Sequence, residues 1–422
     1  MRLQLTCLEA AASPSDPTSR ERRQAPEPSQ LTRAPTRLPP RRACVLLAFA
    51  NAWLAATTAV AQEWSAGADL LVYTDTDAVQ VVSPQAHVRR TLDDDGGLIS
   101  ARFTVDVVTA ASVDVVTHAT PSFRETRYEL GLSASKAFGA HLPSMSYRYS
   151  HEPDYVSHGG QLGWRSRLGT PDSVLSLGYG LTHDLVLRHG TSRNAFSETA
   201  FTHDASISFA QTLSDRSLLR FGYGLVVQTG YLEKPYRHVP LFTSESVAAA
   251  RADGTRLDRS SFDEYRESLR PPEEVPDLRI RHALSVRGLH HLPDVRTTLR
   301  LDYRFYFDDW GLLAHTIEPA VRTRIREAWD LTIFARVHRQ DSASFWRRVY
   351  QIDEVGRVPN LRSVDRDLSA YTTLTAGGRF GWESASVSLY VDLSVAHTRY
   401  DSFLYRDRLT ALIARVGGRF FR

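Results

Sequence analysis

The chain has 422 residues, with 51 Lys and Arg against 48 Asp and Glu and a formal net charge of +3. So slight a charge gives no reason to expect a nucleic-acid partner. Both cysteines, Cys7 and Cys44, precede the export cleavage point argued below, so the mature chain is expected to hold neither a disulfide nor a thiolate-bound metal, and no cofactor is implied.

Residues 1–40 are rich in Arg, Pro and Ser without a hydrophobic period. Such a composition buries too little apolar surface to offset the entropy of ordering, and reads as a disordered extension. A translation start placed upstream of the true one would account for it. Residues 41–61 read as a signal peptide: Arg41 and Arg42, an apolar stretch from Val45 to Ala56, then Ala59-Val60-Ala61 before a cut between Ala61 and Gln62. A membrane anchor, the competing reading, needs about 20 apolar residues, and Asn51, Thr57 and Thr58 interrupt the run.

From residue 62 onward there is no helical membrane span, and the pattern is alternation. In "VRTTLRLDYRFYF", 295–307, Val295, Leu299, Leu301, Tyr303 and Phe305 fall on one face, while Arg296, Arg300, Asp302 and Arg304 fall on the other. Side chains alternate across a strand, so one face is greasy and the other charged. "SVSLYVDLSVAH" and "LTIFARVH" repeat the split, putting Asp392 and Arg336 on polar faces.

About sixteen such segments occur, at roughly 64–73, 79–92, 98–109, 125–137, 142–150, 158–168, 173–184, 204–214, 217–229, 278–291, 294–307, 313–326, 329–339, 366–380, 385–398 and 405–421. Fourteen and eighteen are the neighbouring even counts. The segments exceed the usual globular strand of about 5–6 residues. Short turns ("SDR", "LPD", "REAW") alternate with longer connections at 110–124, 151–157, 185–203, 230–277 and 340–365. Residues 62–422 therefore read as an up-and-down antiparallel transmembrane β-barrel of outer-membrane type, short turns toward the periplasm, in a Gram-negative cell. Its partners would be the outer-membrane bilayer and, during biogenesis, the barrel assembly machinery. A soluble β-sandwich is the structural rival.

The passage "TVDVVTAASVDVVTHATP" states Asp-Val-Val twice. Alternation on 98–109 turns Asp106 toward the lumen, on the face of Arg102, where a carboxylate is solvated or paired. The second copy, with Asp114, is read as an extension beyond the bilayer. This passage, together with "DAVQVVSPQAHVRRTL" and "SFRETRYEL", resembles the bacterial outer-membrane family catalogued as domain of unknown function 3570. The resemblance spans about 64–421. It implies a barrel and no established activity, so no residue role is carried over.

Three groups of residues invite a function. Arg296, Arg300, Arg304, Arg322, Arg324 and Arg336 form a basic lumenal wall, opposed on the same faces by Asp302 and Glu318. A ring of cations favours anions, unless acids across the lumen, such as Asp106, Glu129 and Asp392, neutralise it. Second, "THD" at Thr182–Asp184 and Thr202–Asp204 puts His183, Asp184, His203 and Asp204 at strand rims, a weak candidate for a metal site or hydrolase dyad against ordinary interface polarity. Third, loop 230–277 carries five prolines and a short helix at "SSFDEYRESL", and either enters the lumen or projects outward.

No motif of a hydrolase, zinc protease or P-loop is present, and no enzyme activity is expected. The functional readings are a channel or passive transporter for small polar solutes, anionic ones if the basic wall is not neutralised; a non-conducting surface barrel serving as binding platform or envelope assembly factor; and, more distantly, an outer-membrane hydrolase.

Overall fold

The computed structural model describes residues 64–422 apart from 93–96, 111–122, 171, 256, 258–261 and 353–355. The extension, the signal segment with Ala61 and Gln62, and the second Asp-Val-Val copy with Asp114 lie outside the described residues.

Sixteen strands close into one antiparallel barrel. They are β1 (Trp64–Asp75), β2 (Val79–Thr91), β3 (Leu98–Ala110), β4 (Phe123–Ser135), β5 (His141–Glu152), β6 (Tyr155–Arg167), β7 (Ser173–Leu187), β8 (Ser197–Ser214), β9 (Ser217–Gly230), β11 (Leu278–Leu292), β12 (Thr297–Asp308), β13 (Leu313–Arg326), β14 (Trp329–Gln340), β16 (Tyr371–Glu383), β17 (Val387–Tyr400) and β18 (Arg408–Phe421). Closure comes from β1 against β18, with Ser65 opposite Phe421 and Asp75 opposite Ala411. Lipid offers no hydrogen-bond partners, so an open edge within a bilayer would leave backbone groups unsatisfied.

Leu299, Leu301 and Tyr303 of β12, Leu389, Val391, Leu393 and Val395 of β17, and Leu412, Val416 and Phe420 of β18 are all exposed on the outer surface. This apolar outer band on a closed sheet makes the protein an integral outer-membrane barrel. Trp329, Phe380 and Trp382 cluster on it near the short turns.

Some boundaries move. The segment at 366–380 begins as a 3₁₀ turn, Arg366–Leu368, and its strand is β16. The connection at 151–157 is a tight turn between β5 and β6, and that at 185–203 shortens because β7 runs on to Leu187 and β8 begins already at Ser197. Arg296 does not belong to a strand: it ends the turn after β11 with left-handed backbone, φ 48°.

At the end bearing the long loops, the chain builds a second core. Leu241–Phe242 (β10) pairs in parallel with Tyr350–Gln351 (β15). Helix α1, Ser244–Ala252, follows a capping box in which Thr243 and Ser246 satisfy each other's backbone N–H groups. Val239, Leu241, Phe242, Trp310, Leu312, Trp346, Val364 and Phe403 bury together. They pack on Ala200, Tyr400 and Leu409, with Tyr306 and Tyr371 at the margin. Those five residues alternate with outward side chains on their strands, so the cap sits inside the mouth.

Candidate functional site

The inward face has two zones. Through the middle, the carboxylates Asp106, Glu129, Asp302, Glu318 and Asp392 are each paired with an arginine of an adjacent strand. Asp106 accepts from Arg127 Nε and Nη2, both at 2.6 Å, and from Ser83. Its partner is thus Arg127 across the sheet rather than Arg102 on its own strand, because register brings β4 opposite β3, with Asp106 facing Arg127. Glu129 takes Arg127 at 3.0 Å and Arg148 at 3.5 Å. Asp302 binds Arg287 and, at 3.1 Å, Arg300, which also binds Glu318. Asp392 is held by Arg379.

Asp106, Glu129 and Asp392 therefore do not reach across the lumen to the β11–β14 arginines. Neutralisation is between neighbours, and it includes two acids that the face-by-face count passed over: Asp308 for Arg279 at 2.6 Å and Asp330 for Arg322 at 3.2 Å. Arg336 lies on the inward face of β14, opposite the buried Thr375.

Three members of the wall remain without a carboxylate within ion-pair distance among the described residues: Arg296, Arg304 and Arg324. Two of them line a cavity of about 660 Å³ at the short-turn end, with His291, Thr298, Arg322, Glu327 and Asp330. The left-handed turn swings Arg296 into this vestibule, and Arg324 donates its backbone N–H to the Arg296 carbonyl at 3.0 Å. Arg322 stays 59% exposed despite its acid. The vestibule is wet and carries more arginine than carboxylate.

The opposite zone is the cap, whose polar groups interlock two long loops. Asp365 receives Lys234 Nζ at 2.8 Å and Arg237 at 2.6 Å. Burial alone raises the Asp365 carboxyl, but Arg237 and then Lys234 outweigh it and hold it well below the usual carboxylate range. Arg237 also meets Glu273, which accepts from Ser363 and from the Lys234 backbone. From this knot the cap reaches two parts of the rim that lie four strands apart. Tyr236 donates to Asp154 between β5 and β6 at 2.6 Å. Arg366 and Arg406 bind Asp77 between β1 and β2. Asp77, in the turn that joins β1 to β2, is 3% exposed.

Strand alternation also separates the THD residues. His203 turns outward, 2.8 Å from the Tyr179 hydroxyl, while Asp204 turns inward against Gly180. His183 packs on Phe201 outside, while Asp184 is buried inside. The described residues bring no three His, Cys, Asp or Glu together as a metal site. Sequence reading missed the cap, although Thr243-x-x-Ser246 before an Ala-rich run is a helix-start signal. Its setting among prolines hid it.

Closed, apolar outside and charged within, the molecule belongs to the class of outer-membrane β-barrels. Within that class the chain belongs to the family described as "Protein of unknown function (DUF3570)", whose profile matches residues 41–400. The sequence matches no curated protein. Among solved structures it is similar to a bacterial polysaccharide outer membrane secretin (11% identity, 85% of this chain and 97% of that one, TM-score 0.46). It is also similar to a loop-deletion mutant of OmpT, an outer membrane protein of Vibrio cholerae (8%, 86% and 99%, 0.41), and to OccK3 (OpdO) of Pseudomonas aeruginosa (10%, 85% and 96%, 0.40). No role is transferred from them.

Proposed function

We propose that this barrel is a passive channel for small polar solutes, with a preference for anions, and that the loop cap is its gate. The observation that carries the reading is the arginine-rich vestibule at the short-turn end. Arg296 and Arg324 face water there without acidic partners, and like charges within about 8 Å, one Debye length at physiological salt, add their potentials. Arg300 contributes less than the sequence suggests, because Glu318 and Asp302 neutralise it.

Planar-bilayer recording tests this. Wild-type protein is expected to conduct in short openings, and loosening the cap with Asp365→Ala to lengthen them. In a salt gradient the reversal potential should lie on the anion side, move toward zero with Arg296→Glu plus Arg324→Glu, and weaken at high salt. A gradient that shows no ion preference in the open state overturns the selectivity.

A second reading, a non-conducting surface barrel, is favoured by the apolar packing of the cap within the mouth. Absence of conductance both from the intact protein and after excision of 231–277 would decide for it.

A further inference from the structure

The outer face near the loop end is not uniformly apolar. Four consecutive loop-end hairpins each carry a tyrosine and a histidine in one diagonal relation. Tyr147 and His158 lie 2.7 Å apart, hydroxyl to Nδ1; Tyr179 and His203, Tyr223 and His282, and Tyr303 and His315 each lie 2.8 Å apart. In every case the histidine sits two residues nearer the loops than the residue directly opposite the tyrosine: Gly160, Ala205, Leu284 and Ile317 respectively. With the phenol donating, the ring proton falls on Nε2. No protein group meets those four Nε2 atoms among the described residues, and each faces outward.

The stripe continues at its far end as charge. One row of cross-strand neighbours runs His315, Arg339, Thr372, Arg399, Arg408 over β13, β14, β16, β17 and β18. Arg339 is answered by Asp401 at 2.6 Å. Arg399 and Arg408 stand directly opposite each other, both exposed, and neither has a carboxylate within ion-pair distance among the described residues. Like charges directly opposite on a sheet destabilise it, and arginine on a lipid face is costly at the bilayer midplane but little so at the interface. Both costs disappear if the row lies at headgroup level and an anion sits between the two guanidiniums.

We infer that Arg399 and Arg408 clamp a phosphate group of the surrounding leaflet's glycolipid, with the Tyr–His belt marking and contacting the headgroup level around the wall. Guanidinium suits this ligand because its fork binds phosphate with two parallel hydrogen bonds. The commitment is to lipid phosphate rather than free phosphate, because the next row down holds the outward Ile317, Val337 and Leu374, with His397 and Thr410 beneath the two arginines, and the apolar wall resumes below these at Val395 and Leu412.

The full mature protein is reconstituted in vesicles of phosphatidylethanolamine with lipid A, or with lipid A stripped enzymatically of its phosphates, and the midpoint of heat-modifiable gel migration is recorded. The midpoint should be higher with the phosphorylated lipid, and Arg399→Gln plus Arg408→Gln should remove most of the difference while the barrel still shows its folded mobility. Equal wild-type midpoints in the two vesicles overturn the proposal, and that comparison needs no variant to fold. A difference that survives the double substitution also overturns it. Inorganic phosphate added to the detergent-solubilised protein should not reproduce the shift; if it reproduces all of it, the site is for free anion and the lipid assignment fails.

Discussion

The two ends of this lumen are built on the same strands and end in opposite conditions. At the short-turn end the inward residues Thr298, Arg322 and Arg324 border an open, wet vestibule. At the loop end the inward residues Ala200, Tyr400 and Leu409 are covered by a packed core. The strands' alternation does not change between the two; the length of the connections does. Two-residue links such as 215–216 have nothing to fold back with, whereas 231–277 and 341–370 carry enough Leu, Phe and Trp to bury one another. A barrel wall therefore sets which residues face inward, and the loops decide whether that inside is water or protein.

The sharpest way to break the contrast is to open the dry end. Asp365→Ala leaves Lys234 and Arg237 largely buried without their shared acid, and removing one partner of a buried ion pair costs about 3–5 kcal/mol. Limited proteolysis should then cut within 231–277 and 341–370, while the barrel keeps its heat-modifiable mobility. Equal resistance of variant and wild type would show that the knot does not hold the cap.

Acid should act on the same knot with a definite sign. The folded Asp365 carboxyl lies below its unfolded value, so its stabilisation is present above the unfolded pKa of about 3.9 and is lost as pH falls through the folded one. Proteolytic protection of the cap should stay level from pH 8 to 5 and decline only below about pH 4.

Leu241→Ala deletes a fully buried side chain at the β10–β15 junction and should cost the cap about 2–5 kcal/mol, read as faster hydrogen exchange at Phe242 and Ile352. In the wall itself the effects shrink. Gly180→Ala places a Cβ 2.0 Å from the Asp204 carboxylate, and overpacking of this kind costs about 1–3 kcal/mol; the heat-modifiability midpoint should fall modestly. At the wet end, Arg324→Gln should change stability by less than about 0.5 kcal/mol, and its effect should show in reversal potential alone. A large loss of stability there would mean that the vestibule is packed rather than open.

What was legible in the sequence is what period two can carry. Every wall strand announced itself, most within a few residues, as in Thr297–Asp308, because alternation is local and needs only neighbours along the chain; β8 begins seven residues before the expected 204. The same period set Asp106, Asp302 and Arg300 inward and Leu299 and Val391 outward. It could equally have separated His203 from Asp204 and His183 from Asp184, since adjacent strand residues face opposite ways; proximity along the chain suggested a site that pleating forbids. Partner choice needed the tertiary structure. Asp106 meets Arg127 because of the β3–β4 register, and Arg399 faces Arg408 because β17 and β18 align so. The cap was the least legible part, since Leu241 with Tyr350 and Asp77 with Arg366 join residues more than a hundred positions apart. Apolar burial and ion pairing are blind to sequence separation, so no local pattern records them, and only closure of the barrel brings those loops over one mouth.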